Sequence, residues 1–472
     1  MMIEVADMVD GSFLTGLAAS HVQALARAPV DDAAAKKARL CVLDLVGCAI
    51  RARTMPWAGA LTRYAELETA PGNSVNLATG GRTSASDAAF ANGILGHSLI
   101  REDMHVGSGS HIGVLVIPAM LALAERDGLS GHALLAGIVA GYEVAAALGQ
   151  AIWGSGRHNR HLRPSGMTGA FGVAAGAAAA SGLDPRRTAH ALSIAGNFAC
   201  GVNQWAWSGG QEIFLHAGMA AQSGLRAHDL ARAGIEGCPD ILEGADGLFA
   251  AFGCGERAGS LFAEAFDLSK PRAILGVRHK PVSGCNFVQT PVAAMVQTTA
   301  RDALHSDQVE RIVLDTFTEA RVYPGCDHAG PFTSVQQSKM SLQFAICAAL
   351  VHEQLDETAY ADFDHPEMQR LLPQVEIGID PEFEAAFPGR QGARVTLHLT
   401  DGTTRATTID DVPWLDDEAV LARFRREIGE SGDAAMADRF VDALADIGGP
   451  GDCRALFAAL ADLGGTPPVI RD

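Results

Sequence analysis

The chain has 472 residues, of which 48% are hydrophobic and only 19% charged, with 52 glycines and few aromatics (6%). That length exceeds what a single core sustains, so two domains are expected, and the many small residues suit closely packed helices. A formal net charge of −19 disfavours a nucleic-acid partner, because phosphate binding needs a surplus of Lys and Arg, yet leaves room for a small anion in a local cationic pocket.

The opening stretch MMIEVADMVDGSF is acidic and has no basic segment followed by an apolar one, so it does not read as a signal peptide. From Phe13 to about Phe262 the pattern is almost wholly helical. Asp31-Asp32 starts a helix through residues 34–51, with Val42, Leu45, Val46, Ala49 and Ile50 on one face and Asp44 on the other. Ser86-Asp87 opens the next. Pro118 is placed near the start of a helix ending at Arg126, where proline is tolerated. Ser130-Gly131 begins a helix through residues 134–152. Asp184-Pro185 reads as an N-cap followed by proline in the first turn, leading into residues 189–199. The apolar runs 113–123 and 169–180 fall short of the ~20 residues of a membrane span and read as buried helices, with no membrane partner.

After Phe262 the pattern changes. Residues 309–316 and 375–379 are β-rich. Residues 394–399 alternate, meet the turn Asp401-Gly402, and continue as 403–409, a hairpin. Residues 287–300 and 338–352 read as helices between these strands, and from Asp416 the pattern is helical again. The fold class is mainly α: a large all-helical domain (1–268) with an inserted, smaller α+β lid domain (269–410) and a helical return (411–472). Nine scattered cysteines without a CxxC pair read as buried free thiols of a reducing cytoplasm. No Cys/His spacing suits zinc, and no metal is expected.

Four stretches could carry chemistry. Residues 92–111 pack His97, Arg101, Glu102, Asp103, His105 and His111 into a glycine-rich loop between apolar helices, where an imidazole near neutral pH can act as acid or base. Residues 157–163 hold Arg157, His158, Arg160, His161 and Arg163 in an otherwise acidic protein, an anion site or a basic surface loop. Residues 278–286 place Lys280 and Ser283 just before a helix, whose free N–H groups attract anions, or form a plain hinge. His216, amid small helical residues, reads as structural. None of these is specific alone.

In order and wording they go further. Ala88-Ala89-Phe90-Ala91-Asn92-Gly93 with His97 and His111, Gly137-Ile138-Val139-Ala140-Gly141-Tyr142-Glu143, Leu215-His216-Ala217-Gly218, Lys280-Pro281 with Cys285, and Ser341-Leu342-Gln343-Phe344 resemble the MmgE/PrpD family over nearly the whole chain. The resemblance implies a helical domain with a lid, usually a homodimer, and proton transfer beside a carboxylate without metal or organic cofactor, as in methylcitrate dehydration, cis-aconitate decarboxylation and iminodisuccinate epimerisation. His111 matches the family's loop histidine and Lys280 its lysine; these two are expected to be catalytic. Where the family pattern reads Asp-x-Asp-Asp-Thr, this chain has Ile100, Arg101, Glu102, Asp103 and Met104. Arg163 stands where a histidine usually precedes Pro-Ser-Gly, Ile213 stands where a lysine usually lies three residues before the histidine of Leu215-His216-Ala217-Gly218, and Cys326 or Asp327, with Tyr323 nearby, stands where a tyrosine often precedes the lid helix. The substrate is therefore expected to be a small carboxylate other than methylcitrate. Arg101, Asp103, Met104, His158, His161, Arg163, Ser283, Tyr323 and Cys326 are expected around it. The alternative is a binding protein that kept the fold and lost the chemistry.

Overall fold

A computed structural model describes residues 12–465 apart from positions 268, 271, 432, 433, 450 and 452. The acidic stretch 1–11 lies outside the described residues. Twenty-two α-helices appear among the described residues, with one four-stranded sheet and two short ribbons.

The caps read from sequence form. Asp31 accepts from the Ala34 N–H ahead of Asp32–Ala52, Ser130 from Ala133 ahead of Gly131–Gly154, and Asp184 from Arg187 ahead of Pro185–Ala195. Each satisfies one of the orphan donors of a first helical turn. Two helix starts differ from expectation. Ser84, not Ser86, caps Ala85–His97, because its hydroxyl both accepts from the Asp87 N–H and donates to the Asp87 carboxylate. The next helix, Ile112–Asp127, begins six residues before Pro118, which sits in its interior.

Pro164–Ser181 is the central helix, buried from Pro164 to Ala180. It packs against Ile112–Asp127, Gly131–Gly154 and Glu212–Arg232. Glycine makes the closest of these approaches possible: a Cβ on Gly172 would sit 2.8 Å from the Gly141 carbonyl, and one on Gly176 2.6 Å from that of Gly137. Gly131–Gly154 is long and apolar enough to cross a membrane by length and composition, but 94% of its most apolar window is buried inside this fold.

Asp44 does not face solvent, as the helical pattern alone suggested. The helix Asp417–Ser431 packs back over Asp32–Ala52 and closes that face. Asp44 there accepts from Arg423 at 2.7 Å and pairs with His279 at 2.8 Å. Burial would push its carboxyl up, but Arg423 and His279 hold it down to about 2.

The four-stranded sheet runs in the order Val375–Ile379, Val309–Thr316, Ala393–Leu399, Thr404–Ile409; the first pair is parallel and the others antiparallel. Ala393, Val395, Leu397 and Leu399 turn inward, the alternation of a half-buried strand. Gln289–Asp302 lies against the last two strands and against Leu342–Val351. The helix expected over 338–352 is broken at Ser341, whose extended backbone ends Val335–Met340 and whose hydroxyl caps Leu342–Val351. One contiguous apolar cluster runs from Val42 and Leu115 to Leu314 and Val395, so helices and sheet share a core. All nine cysteines are free thiols. Six are buried, but Cys200 and Cys238 are exposed and Cys254 is half-buried, contrary to the all-buried expectation.

Candidate active site

The loop after Ala85–His97 turns sharply at Ile100, which has φ +55°. A β-branched residue there costs roughly 1–3 kcal/mol and must be held by its surroundings. Two buried ammonium groups hold it. Lys339 donates to the carbonyls of Ser98 and Leu99 at 3.3 and 3.2 Å, and Lys280 donates to those of Ile100 and, at 3.1 Å, Gly284. The chain then forms a short ribbon, Met104–His105 against Val277–Arg278. That ribbon brings the segment before His111 beside the segment before Lys280.

Inside this turn lies a hydrogen-bonded relay. Arg163 donates from Nη2 to His97 Nε2 at 2.9 Å, so His97 carries its proton on Nδ1 and donates to Glu102 Oε1. The same Glu102 oxygen lies 3.1 Å from His111 Nδ1, which is also 3.1 Å from the Asp103 carbonyl. Both are acceptors, so His111 too carries its proton on Nδ1, leaving Nε2 bare. Among the described residues Nε2 has no hydrogen-bond partner. Burial would raise Glu102, yet His97 and His111 hold its carboxyl well below the usual range. Burial, and then Lys280, lower His111 to about 3 against the pull of Glu102. Burial also lowers Lys280, to about 8, opposed by Glu102. At neutral pH His111 is thus a neutral imidazole held in one tautomer by a carboxylate.

His111 and Arg163 occupy the N-cap positions of the packed helices Ile112–Asp127 and Pro164–Ser181. The His111 N–H donates to Ser165 Oγ at 3.1 Å, tying the two helix starts together. They open on a cavity of about 340 Å³. Its polar lining residues include His111, Gln150, Arg163, Ser165, Asn286 and Gln391. Its apolar and aromatic ones include Met104, Trp153, Phe287, Tyr323, Met340 and Phe387. Cys285 also reaches the wall, and its Sγ lies 3.7 Å from that of Cys326 behind it. The hydrogen bond with Cys326 lowers the Cys285 thiol against burial; burial raises that of Cys326.

His97, Glu102 and His111 offer three donor atoms within 4.8 Å, a spacing that could hold a metal ion. Their donor chemistry fits poorly: both Nδ1 atoms carry protons directed at Glu102, and Arg163 and Lys280 add positive charge beside them.

Of the residues expected at the site, the fold brings His111, Met104, Arg163 and Tyr323 to the cavity wall. Lys280 is in the same cluster but wholly buried behind it. Burial pushes the Tyr323 phenol up to about 12, so it stays protonated. Six others lie off the cavity wall. Arg101 is turned away into an ion pair with Glu427, 2.8 Å from its Oε2. Asp103 is a structural acid: one oxygen accepts from the Gly113 N–H at 3.0 Å and the other from the Tyr142 hydroxyl. Ser283 is buried with its carbonyl taken by Tyr360. His161 is exposed. His158 packs its ring against that of Trp153, centroids 4.4 Å apart and tilted by 53°, and does not line the cavity. Cys326 reaches the site only through Cys285.

The MmgE/PrpD N-terminal domain matches residues 17–260, and the MmgE/PrpD C-terminal domain matches residues 283–439. The chain belongs to the MmgE/PrpD family. It is similar to a cis-aconitate decarboxylase of Aspergillus terreus, 24% identical over 430 residues, covering 86% of this chain and 87% of that protein. A cis-aconitate decarboxylase of Homo sapiens is 25% identical over 402 residues, 81% of this chain and 80% of that protein. One of Mus musculus is 27% identical over 333 residues, 67% and 65%.

Within this MmgE/PrpD chain, His97 and Glu102 were legible only as members of the stretch 92–111, without a role of their own, and Lys339 not at all. Glu102 had a usable signal, an acid five residues after a helix-ending histidine. Lys339 had none: a lysine within an amphipathic stretch gives no hint that it will be wholly buried, paired at 2.6 Å with Glu357.

Proposed function

We propose that this chain is an enzyme of lyase or isomerase type that removes a proton from the carbon beside a carboxylate of a small substrate, without an organic cofactor. The observation that carries this reading is His111. Its bare Nε2 belongs to a cavity-lining imidazole whose other nitrogen is held by Glu102. A base so oriented takes up a proton while the carboxylate stabilises the imidazolium that forms. The electron pair left on carbon delocalises into the substrate carboxylate. Arg163 on the same wall stabilises the charge that develops there. Expulsion of a β-substituent with its bonding pair completes a lyase reaction; return of the proton to the other face completes an isomerisation. Relatives named as cis-aconitate decarboxylases favour the lyase outcome. Lys280, with its ammonium spent on two carbonyls, sets the charge around His111 rather than touching substrate.

The test is deuterium incorporation from D2O into a panel of carboxylic acids, followed by NMR with wild-type and His111→Ala protein. Exchange or product formation that falls by about 10²-fold or more in the variant supports the reading. Binding of an acid with no exchange and no product would favour a non-catalytic member of the family.

A further inference from the structure

We infer that the ligand of this cavity is a monocarboxylate with an extended apolar body, not a di- or tricarboxylate. This rests on the reading of the cavity as a carboxylate site and narrows it to a substrate class.

The first observation is charge. Among the described residues of the wall, Arg163 is the only permanently charged side chain. It is 4% exposed, and its guanidinium donates to His97 and lies over the Trp205 ring, 5.4 Å from the ring centroid. Its Nε is buried with no partner, and among the described residues its Nη1 has none either. A guanidinium with open donors beside two helix starts matches one planar carboxylate. The other cations near the loop are committed elsewhere: Arg101 to Glu427, Lys339 to Glu357, Lys280 to two carbonyls. A second or third carboxylate would be stripped of water with no cation to receive it, which is strongly unfavourable.

The second observation is the apolar part of the lining. Phe287 meets Tyr323 edge-on at 5.6 Å and Phe387 at 6.4 Å. Met104 and Trp153 complete an apolar surface. The volume, about 340 Å³, falls within the range of pockets that enclose drug-sized ligands. A compact polyacid would leave that aromatic surface uncovered.

The experiment is calorimetry of the full chain with 3-phenylpropanoate, its neutral amide, 4-methylpentanoate, citrate and cis-aconitate, with Arg163→Gln and Phe387→Ala variants. The expected result is that both monocarboxylates bind at least tenfold more tightly than citrate or cis-aconitate, and that the amide loses tenfold or more against its acid. Arg163→Gln should erase the acid-over-amide preference, and Phe387→Ala should weaken 3-phenylpropanoate about tenfold. Because Arg163 also supports His97, its variant is read only if its melting transition stays cooperative; the acid-against-amide comparison on the wild-type protein decides the same point without it. Tighter binding of citrate or cis-aconitate, equal binding of acid and amide, or no binding at all overturns the inference. A polyacid that binds best and exchanges deuterium would overturn this inference and leave the proposed function standing. A monocarboxylate that binds best without exchange would do the reverse.

Discussion

Glu102 Oε1 lies 3.1 Å from His111 Nδ1 while the same oxygen accepts from His97. One carboxylate oxygen therefore fixes the tautomers of two imidazoles, and through His97 it is joined to Arg163 on the cavity wall. The acid is wholly enclosed, with its other oxygen unpartnered, so nothing else competes for it.

Glu102→Gln should therefore damage turnover through His111 rather than through the fold. An amide presents an N–H as readily as an oxygen to Nδ1 and no longer stabilises an imidazolium. The expected result is a fall in kcat of about 10²-fold or more with a smaller change in KM, and a displaced acidic limb of the pH–rate profile. A profile identical to wild type would remove Glu102 from the mechanism.

Acid should unfold this protein earlier than its carboxylates alone predict. Burial lowers His111 to about 3 and, with Arg278 beside it, His105 to about 4. The unfolded chain takes up these protons near pH 6.5 while the folded protein refuses them. The stability contributed by neutral burial is therefore complete above pH 6.5 and lost as the pH falls toward 3–4. Each histidine accounts for a loss on the order of 3 kcal/mol across that window. Melting temperature measured from pH 7 to pH 4 should fall steadily, and a flat curve down to pH 4.5 would contradict it.

Asp44→Ala should destabilise by about 3–5 kcal/mol, because it leaves the buried Arg423 guanidinium and His279 without their acid. Urea unfolding reads this directly. A loss under about 1 kcal/mol, the range of an exposed pair, would mean that the contact between Asp32–Ala52 and Asp417–Ser431 does not depend on Asp44.

Gly166→Ala tests how tightly the cavity wall is built. A Cβ there would collide with the Cys200 carbonyl, in the segment whose N–H bonds return to Gly166 and whose Gly201 carbonyl accepts from the Arg163 N–H. A backbone obstacle cannot rotate away, so the expected cost is about 1–3 kcal/mol, with weaker ligand binding as Arg163 shifts. Crystals of the variant with an unmoved Cys200 would disprove the packing argument.

Much was legible without the fold. Asp31, Ser130 and Asp184 announced helix starts because a cap is a local event: a side chain and an N–H three residues away. Asp401-Gly402 announced its hairpin for the same reason. Misreadings came where a distant segment decided. Asp44, opposite the apolar face of its own helix, is buried because Asp417–Ser431 closes over it, and Ser341 breaks the helix expected over 338–352 by using its hydroxyl as a cap.

By itself the sequence determined the mainly helical class, the strands of the later segment and the family, because periodicity, caps and motif order are written in neighbouring residues. Only the tertiary structure decided which charges face the cavity. Arg163 lines it while His161, two residues earlier, is exposed. Arg101 is drawn off by Glu427, and Lys280 is held at Ile100 by a ribbon joining residues 104–105 to 277–278. A charge is oriented by its nearest desolvated partner in space, and here those partners come from parts of the chain that no local pattern connects.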